Sequence, residues 1–298
     1  MQNRPLAAAA FILAGTGTIG FIDQFIRVIA SESSLWTFHV VRSAMIWGIA
    51  LAWIGVTGRS LRVTNWRGVI ARSAIMATAL IVYFGALGFM PVAQAAAGLF
   101  TSPIWMLVFS VTLFGLSVGP VRICAVLLGF LGVILVLSPD PSNLDPLVFL
   151  PVLGGAFYAV AAIATREWCA GEAALTLALG SFTGQALWGI GGVIVFGAWG
   201  DDTGFLTQGW VTPSAEVLGW CLLQAVGSLL AVVFLTRGYQ LAEASLVSVF
   251  EYSVLGFGAL FGLLVWGERL SPVTLAGLVL IAGAGSLIAL RGRRDAVP

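Results

Sequence analysis

Glu251 sits in the apolar run Val249-Phe250-Glu251-Tyr252 with no cation beside it in sequence. A charge in an apolar interior costs several kcal/mol unless it is paired or hydrated. Glu251 is therefore either a hydrogen-bonded structural carboxyl or part of a binding site. Asp23 and Arg27 are four residues apart, and His39 and Arg42 three apart. On helices, each pair shares one face. Folding the two segments as a hairpin about Glu32 puts Asp23 opposite residues 41 and 42, because both lie roughly 13 to 15 Å from the turn at helical rise. An Asp23–Arg42 pair then either fixes the hairpin or serves a substrate. A zwitterion needs a cation for its carboxylate and an acceptor for its ammonium, and Arg42 with Glu251 or Asp23 supplies both if they face one cavity. Thr101-Ser102-Pro103 adds hydroxyls at a proline that should kink its helix and free a carbonyl, which apolar surroundings tolerate only where that group finds a partner or lines a cavity.

Tyr83, Tyr158, Trp105 and Trp188 lie deep in their apolar runs and are candidates for a side-chain pocket, with Gln24, Gln94 and Gln224 as further polar candidates. Tryptophans nearer the ends, such as Trp36, Trp53, Trp168, Trp199, Trp210 and Trp266, suit a membrane interface. Other chemistry is excluded by what is scarce. There is no lysine, so neither a P-loop nor a Schiff base is available. One histidine and three separated cysteines, Cys124, Cys169 and Cys221, hold no ordinary metal or redox site. No catalytic constellation and no cofactor are expected. Gly15-Thr16-Gly17-Thr18-Ile19-Gly20 matches a dinucleotide fingerprint, but that motif needs a preceding strand. Mid-helix, it reads as small residues for close helix approach, as do Gly180-x-x-x-Gly184 and Gly258-x-x-x-Gly262.

The elements that must carry these groups are apolar stretches of about twenty residues, the length that crosses a bilayer core. The composition is 59% hydrophobic and 9% charged. The pattern predicts an all-α membrane protein with spans at 6–29, 35–56, 68–89, 92–114, 121–138, 147–168, 174–198, 217–240, 243–266 and 272–291. The run after Arg4 has no small-residue cleavage site before Asp23, so it reads as the first span and not a secretory signal. Placing both termini in the cytoplasm puts 11 of the 14 arginines on that side: Arg4, Arg59, Arg62, Arg67, Arg72, Arg122, Arg166, Arg237, Arg291, Arg293 and Arg294. Glu32, Asp140, Asp145, Asp201 and Asp202 then lie outside. The net charge of +1 points to no nucleic-acid partner. The expected partners are the lipid bilayer and a small molecule. Monomer and homodimer are both compatible with the sequence.

A shift of about 150 residues lays Gly88 to Ala95 over Gly238 to Ser245, and Phe100 over Phe250. The chain thus divides at 1–140 and 141–298 into two five-span repeats, and an odd number of spans inverts the second relative to the first. Such repeats place a pathway at their interface near the midplane. This layout, Val41-Arg42, Ala242-Glu243-Ala244-Ser245 and above all Gly267-Glu268-Arg269-Leu270-Ser271-Pro272 resemble the EamA repeats of the drug/metabolite transporter superfamily. The first repeat departs from the last motif, having Gly115-Leu116-Ser117-Val118-Gly119-Pro120. Length and aromatic content look most like the YddG-type aromatic amino-acid exporters. The resemblance implies export of amino acids, aromatic or apolar, or of similar small metabolites across the inner membrane. Phosphorylated metabolites or nucleotide sugars are the alternative cargo, which would want a cluster of cations where the central spans offer chiefly Arg42. An intramembrane enzyme and a passive channel are weaker readings.

Overall fold

The computed structural model describes residues 4–58, 60–86, 92–138, 147, 149–200, 204–267 and 269–294. Arg59, Asp140, Asp145, Asp201, Asp202 and Glu268, and the side chains of Arg27, Gln94, Arg291, Arg293 and Arg294, lie outside the described residues. No strand occurs among the described residues, and ten helices are long and apolar enough to cross a membrane. They are α1 (Pro5–Glu32), α2 (Leu35–Thr57), α3 (Trp66–Ala86), α4 (Ala95–Thr112), α5 (Pro120–Leu137), α6 (Phe149–Glu167), α7 (Ala174–Trp199), α8 (Ala215–Leu241), α9 (Ala244–Trp266) and α10 (Pro272–Leu290). Each corresponds to one of the ten predicted spans, with ends displaced by a few residues.

Three helices are interrupted, and two interruptions fall on acidic residues. α1 tightens into a 3-10 turn over Asp23–Phe25, and α9 does so over Ser248–Tyr252, with Glu251 inside it. A regular helix was expected at both places. Tightening leaves carbonyls that lipid cannot satisfy. At α1 the protein satisfies them with amides: Gln224 Nε2 donates to the Ile22 carbonyl at 2.6 Å and Gln24 Nε2 to that of Gly20 at 3.0 Å, while Gln24 Nε2 also reaches the Gly258 carbonyl of α9 at 3.2 Å. The third break separates Val92–Leu99 from Ser102–Thr112, where Pro103 lies in the first turn of the second piece. The Thr101 hydroxyl closes the turn by donating to the Gly98 carbonyl at 2.7 Å.

α1 lies along α8, α3 along α6, α4 against α6, α9 against α1, and α5 along α10; α7 packs on both α2 and α3. Without a hydrophobic drive between helices in lipid, close packing depends on small residues. A Cβ on Gly132 would stand 2.7 Å from the Gly277 carbonyl, and one on Gly277 2.6 Å from that of Gly132, so α5 and α10 touch backbone to backbone. A Cβ on Gly20 would meet Phe257 at 2.7 Å. The fingerprint-like glycines thus sit in a helix crossing.

Each end of the bundle is tied by polar contacts. At one end Glu172, between α6 and α7, accepts through Oε1 from the Thr64 and Asn65 amides at 2.8 and 2.7 Å and from the Thr64 hydroxyl, while its carbonyl accepts from Gln240 at 2.7 Å. Burial alone would raise the Glu172 pKa, but these donors outweigh it and hold the carboxyl below its ordinary range. Arg122 pairs with Glu243 at the start of α9. At the other end residues 205–211 fold onto the start of α2. Ser34 Oγ donates to the Gly209 carbonyl at 2.6 Å, Trp36 Nε1 to that of Leu206 at 2.8 Å, and the Leu35 amide to that of Phe205 at 2.8 Å.

Candidate functional site

A cavity of about 190 Å³ lies between these two ends, lined by α1, α2, α3, α6, α7, α8 and α9 and by the break in α4. Arg42 reaches it from α2. Its Nη2 donates to Gln185 Oε1 at 2.5 Å and lies 3.1 Å from His39 Nδ1. The guanidinium carbon sits 4.5 Å from the centre of the Phe38 ring, 5.6 Å from Phe182 and 5.7 Å from Phe84. Arg42 is buried at 4% exposure, so these rings replace part of its hydration.

Arg72 is the second cation. It is 2% exposed and donates through Nε to the Thr165 hydroxyl at 2.9 Å, and through Nη1 to the Leu177 carbonyl at 3.1 Å and the Ser181 hydroxyl at 2.5 Å. Sequence reading counted it among the cytoplasmic arginines because it follows the α2–α3 connection so closely. The structure puts it about 9 Å inside α3 by helical rise and on the cavity. Its position within an apolar run was the available signal.

Two carboxylates face these cations. Asp23 is open to the cavity at the break in α1. Glu251, buried on the break in α9, accepts from the Tyr158 hydroxyl at 2.5 Å, with the Tyr239 hydroxyl in the same group. Thr16 and Ser253, hydroxyl to hydroxyl at 2.8 Å, join α1 to α9 beside them. Among the described residues neither buried guanidinium has a carboxylate oxygen within 4.0 Å. The expected direct Asp23–Arg42 bridge is therefore not formed. The two line one cavity, Asp23 on the 3-10 turn of α1 and Arg42 on α2, where its guanidinium is engaged by Gln185 and His39.

Of the candidate residues, Asp23, Arg42, Tyr83, Ser102, Tyr158, Gln224 and Glu251 line the cavity. His39 stands behind Arg42, edge-on to Phe84 at 5.2 Å. Thr101 faces its own turn. Trp105 stacks on Phe109 at 5.4 Å within the apolar core. Trp188 lies on the outer surface of α7, 47% exposed, with Nε1 on the Thr78 hydroxyl at 3.2 Å. The two tryptophans are thus not pocket residues: depth in a span says nothing about direction when all faces are apolar. The rings on the cavity are instead Tyr83, Phe84, Phe100, Phe182, Tyr158 and Tyr239. Gln185 and Tyr239 were missed as well. Arg42 Nε, His39 Nε2 and Gln185 Nε2 are buried with no hydrogen-bond partner among the described residues.

No family model matches the chain. An uncharacterized transporter of Helicobacter pylori is 24% identical over 294 residues, 97% of each chain. The pseudopaline exporter of Pseudomonas aeruginosa is 29% identical over 219 residues, 72% of each. A crystal structure of another protein has the same fold, with a TM-score of 0.77 at 17% identity over 97% of this chain and 99% of that one. The chain is a multi-pass membrane protein related to transporters. Its relatives are named for transport and not for catalysis.

Proposed function

We propose that this protein exports amino acids with an aromatic or apolar body, or similar small metabolites, from the cytoplasm across the inner membrane by alternating access. The observation that carries the proposal is an aromatic-walled cavity whose guanidinium and carboxylate groups form no direct ion pairs with one another among the described residues. Buried charges left in that state are completed by a ligand of opposite charges. Arg42 would take the α-carboxylate, Asp23 or Glu251 the ammonium, and the rings of Tyr83, Phe84, Phe100 and Phe182 the body.

The resemblance to EamA-repeat transporters, the two inverted repeats 1–140 and 141–298, and cytoplasmic termini belong to the same proposal. Helix neighbours support the repeats. Exchanging each helix for the one five later turns the α1–α8 contact into α6–α3, α4–α6 into α9–α1 and α3–α7 into α8–α2, and leaves α2–α7 and α5–α10 unchanged; all of these contacts occur. The polar ties at the two ends are then the gates, Glu172 with Thr64 and Asn65 on the cytoplasmic side and residues 205–211 with α2 outside.

Arg72 gives the phosphorylated-metabolite reading more support than the sequence did, since two cations face the cavity. Asp23 and Glu251 oppose it, because they would repel phosphates in the same space. Purified protein in liposomes, challenged with labelled aromatic and aliphatic amino acids and with sugar phosphates under pH gradients of both signs, separates the two. Saturable flux of sugar phosphates alone would reject amino-acid export.

A further inference from the structure

Ser181 and Gln185 are one helical turn apart on α7, and each holds a different buried arginine at 2.5 Å, Ser181 to Arg72 and Gln185 to Arg42. All four residues line the cavity. Four residues apart, Ser181 and Gln185 are offset by about 6 Å along the axis of α7. We infer that the two arginines form a double anion site, and that the preferred cargo is an amino acid bearing a second carboxylate about one helical turn from the first. This rests on the reading above that Arg42 takes the α-carboxylate of an amino acid, and it replaces the aromatic or apolar body of that reading by an acidic one.

Three features support a built site. Each guanidinium is fixed by the protein before any ligand arrives. Arg72 is held by Thr165, Leu177 and Ser181, and Arg42 by Gln185 with its guanidinium carbon over the Phe38 ring. Fixed forks of this kind select carboxylates by geometry as well as charge. Among the described residues no carboxylate bridges either arginine, so the protein itself leaves both cations unneutralised. The cavity also contains two carboxylates, Asp23 and Glu251. The two cations answer two carboxylates and Asp23 answers one amine, while Glu251 already accepts from the Tyr158 hydroxyl; a polyphosphate would bring no cation for either acidic residue. A plain amino acid, with its single carboxylate, would leave one guanidinium buried and unanswered.

The test uses the full-length protein in liposomes and the near-isosteric pair glutamate and glutamine, which differ in charge at the distal group. Aspartate serves as a shorter dicarboxylate, and leucine and phenylalanine as single carboxylates. Wild-type protein should take glutamate with a KM about tenfold or more below that for glutamine, the worth of one charge-assisted hydrogen bond. Aspartate should bind less well than glutamate. Arg72→Gln should reduce the glutamate preference by about the same factor, whereas Arg42→Gln should raise the KM for every amino acid. Should Arg72→Gln fail to insert, Arg72→Lys, which keeps the charge and loses the fork, should reduce the preference by a smaller factor. Equal KM for glutamate and glutamine in the wild type would overturn the double site while leaving amino-acid export intact. Saturable flux of none of these compounds through folded protein would reject the amino-acid reading itself, and the double site with it.

Discussion

Replacing Arg42 by Gln removes the cation assigned to the α-carboxylate, and the structure sets the size of the effect. The side chain loses its position over Phe38 at 4.5 Å, where a desolvated cation–π contact contributes about 1 to 2 kcal/mol. Gln185 Oε1 and His39 Nδ1 lose a guanidinium neighbour. These are losses of stability, visible as a lower unfolding temperature in detergent. A bound substrate loses in addition a charge-assisted hydrogen bond of about 1.5 to 3 kcal/mol, so KM should rise roughly tenfold to a hundredfold. Arg42→Lys keeps the charge but not the planar fork or its stacking, and should fall between the two. Liposome flux measured against substrate concentration, with insertion checked by equal protein recovery, reads both variants. An Arg42→Gln protein that inserts and transports with unchanged KM and kcat would show that this guanidinium does not touch substrate.

Tyr158→Phe removes the donor at 2.5 Å from Glu251 and should raise KM several-fold by loosening that carboxyl; flux kinetics unchanged within error would deny Glu251 its assigned position. Glu172, whose folded-state pKa is depressed, contributes stability that is fully present above its ordinary pKa of 4.5 and is lost as the pH falls through the depressed value. Glu172→Gln should therefore loosen the tie at neutral pH. The readout is maleimide labelling of Cys169, which is buried, with a thiol pushed up to about 11 by that burial, and which should react faster in the variant in a background lacking Cys124 and Cys221. Gly132→Ala should destabilise the α5–α10 contact by about 1 to 3 kcal/mol, because its Cβ meets the Gly277 carbonyl and not a flexible side chain; an unchanged unfolding temperature would contradict that close approach. Trp188→Leu, on the outer surface, should change neither flux nor stability by more than about 0.5 kcal/mol.

The ten spans were legible because length and hydropathy are properties of a segment by itself. The break in α4 was legible for the same reason: Pro103 removes an amide wherever its helix lies. The breaks at Asp23 and Glu251 were not, since their cost is offset by partners distant in sequence, such as Gln224 donating to Ile22 across 202 positions. Direction around the helix axis was the other loss. A membrane helix that is apolar on all sides carries little amphipathic signal, so Trp188 on the surface and Phe182 on the cavity look alike in sequence. Arg72 shows a different failure. A positively charged residue near a span end was read as an orientation signal, when its long side chain instead runs inward and is captured by hydroxyls of α6 and α7.

The central claim is that opposite charges in one cavity recognise a zwitterion, and a three-compound comparison tests it most directly. A transported amino acid, the amine that lacks its carboxylate and the acid that lacks its amino group are each offered to liposomes containing the wild-type protein. The charge arrangement predicts saturable flux for the amino acid and a KM at least about tenfold higher for both of the others, since each leaves a buried charge without its partner. Equal flux and equal KM for all three would contradict recognition by Arg42, Asp23 and Glu251.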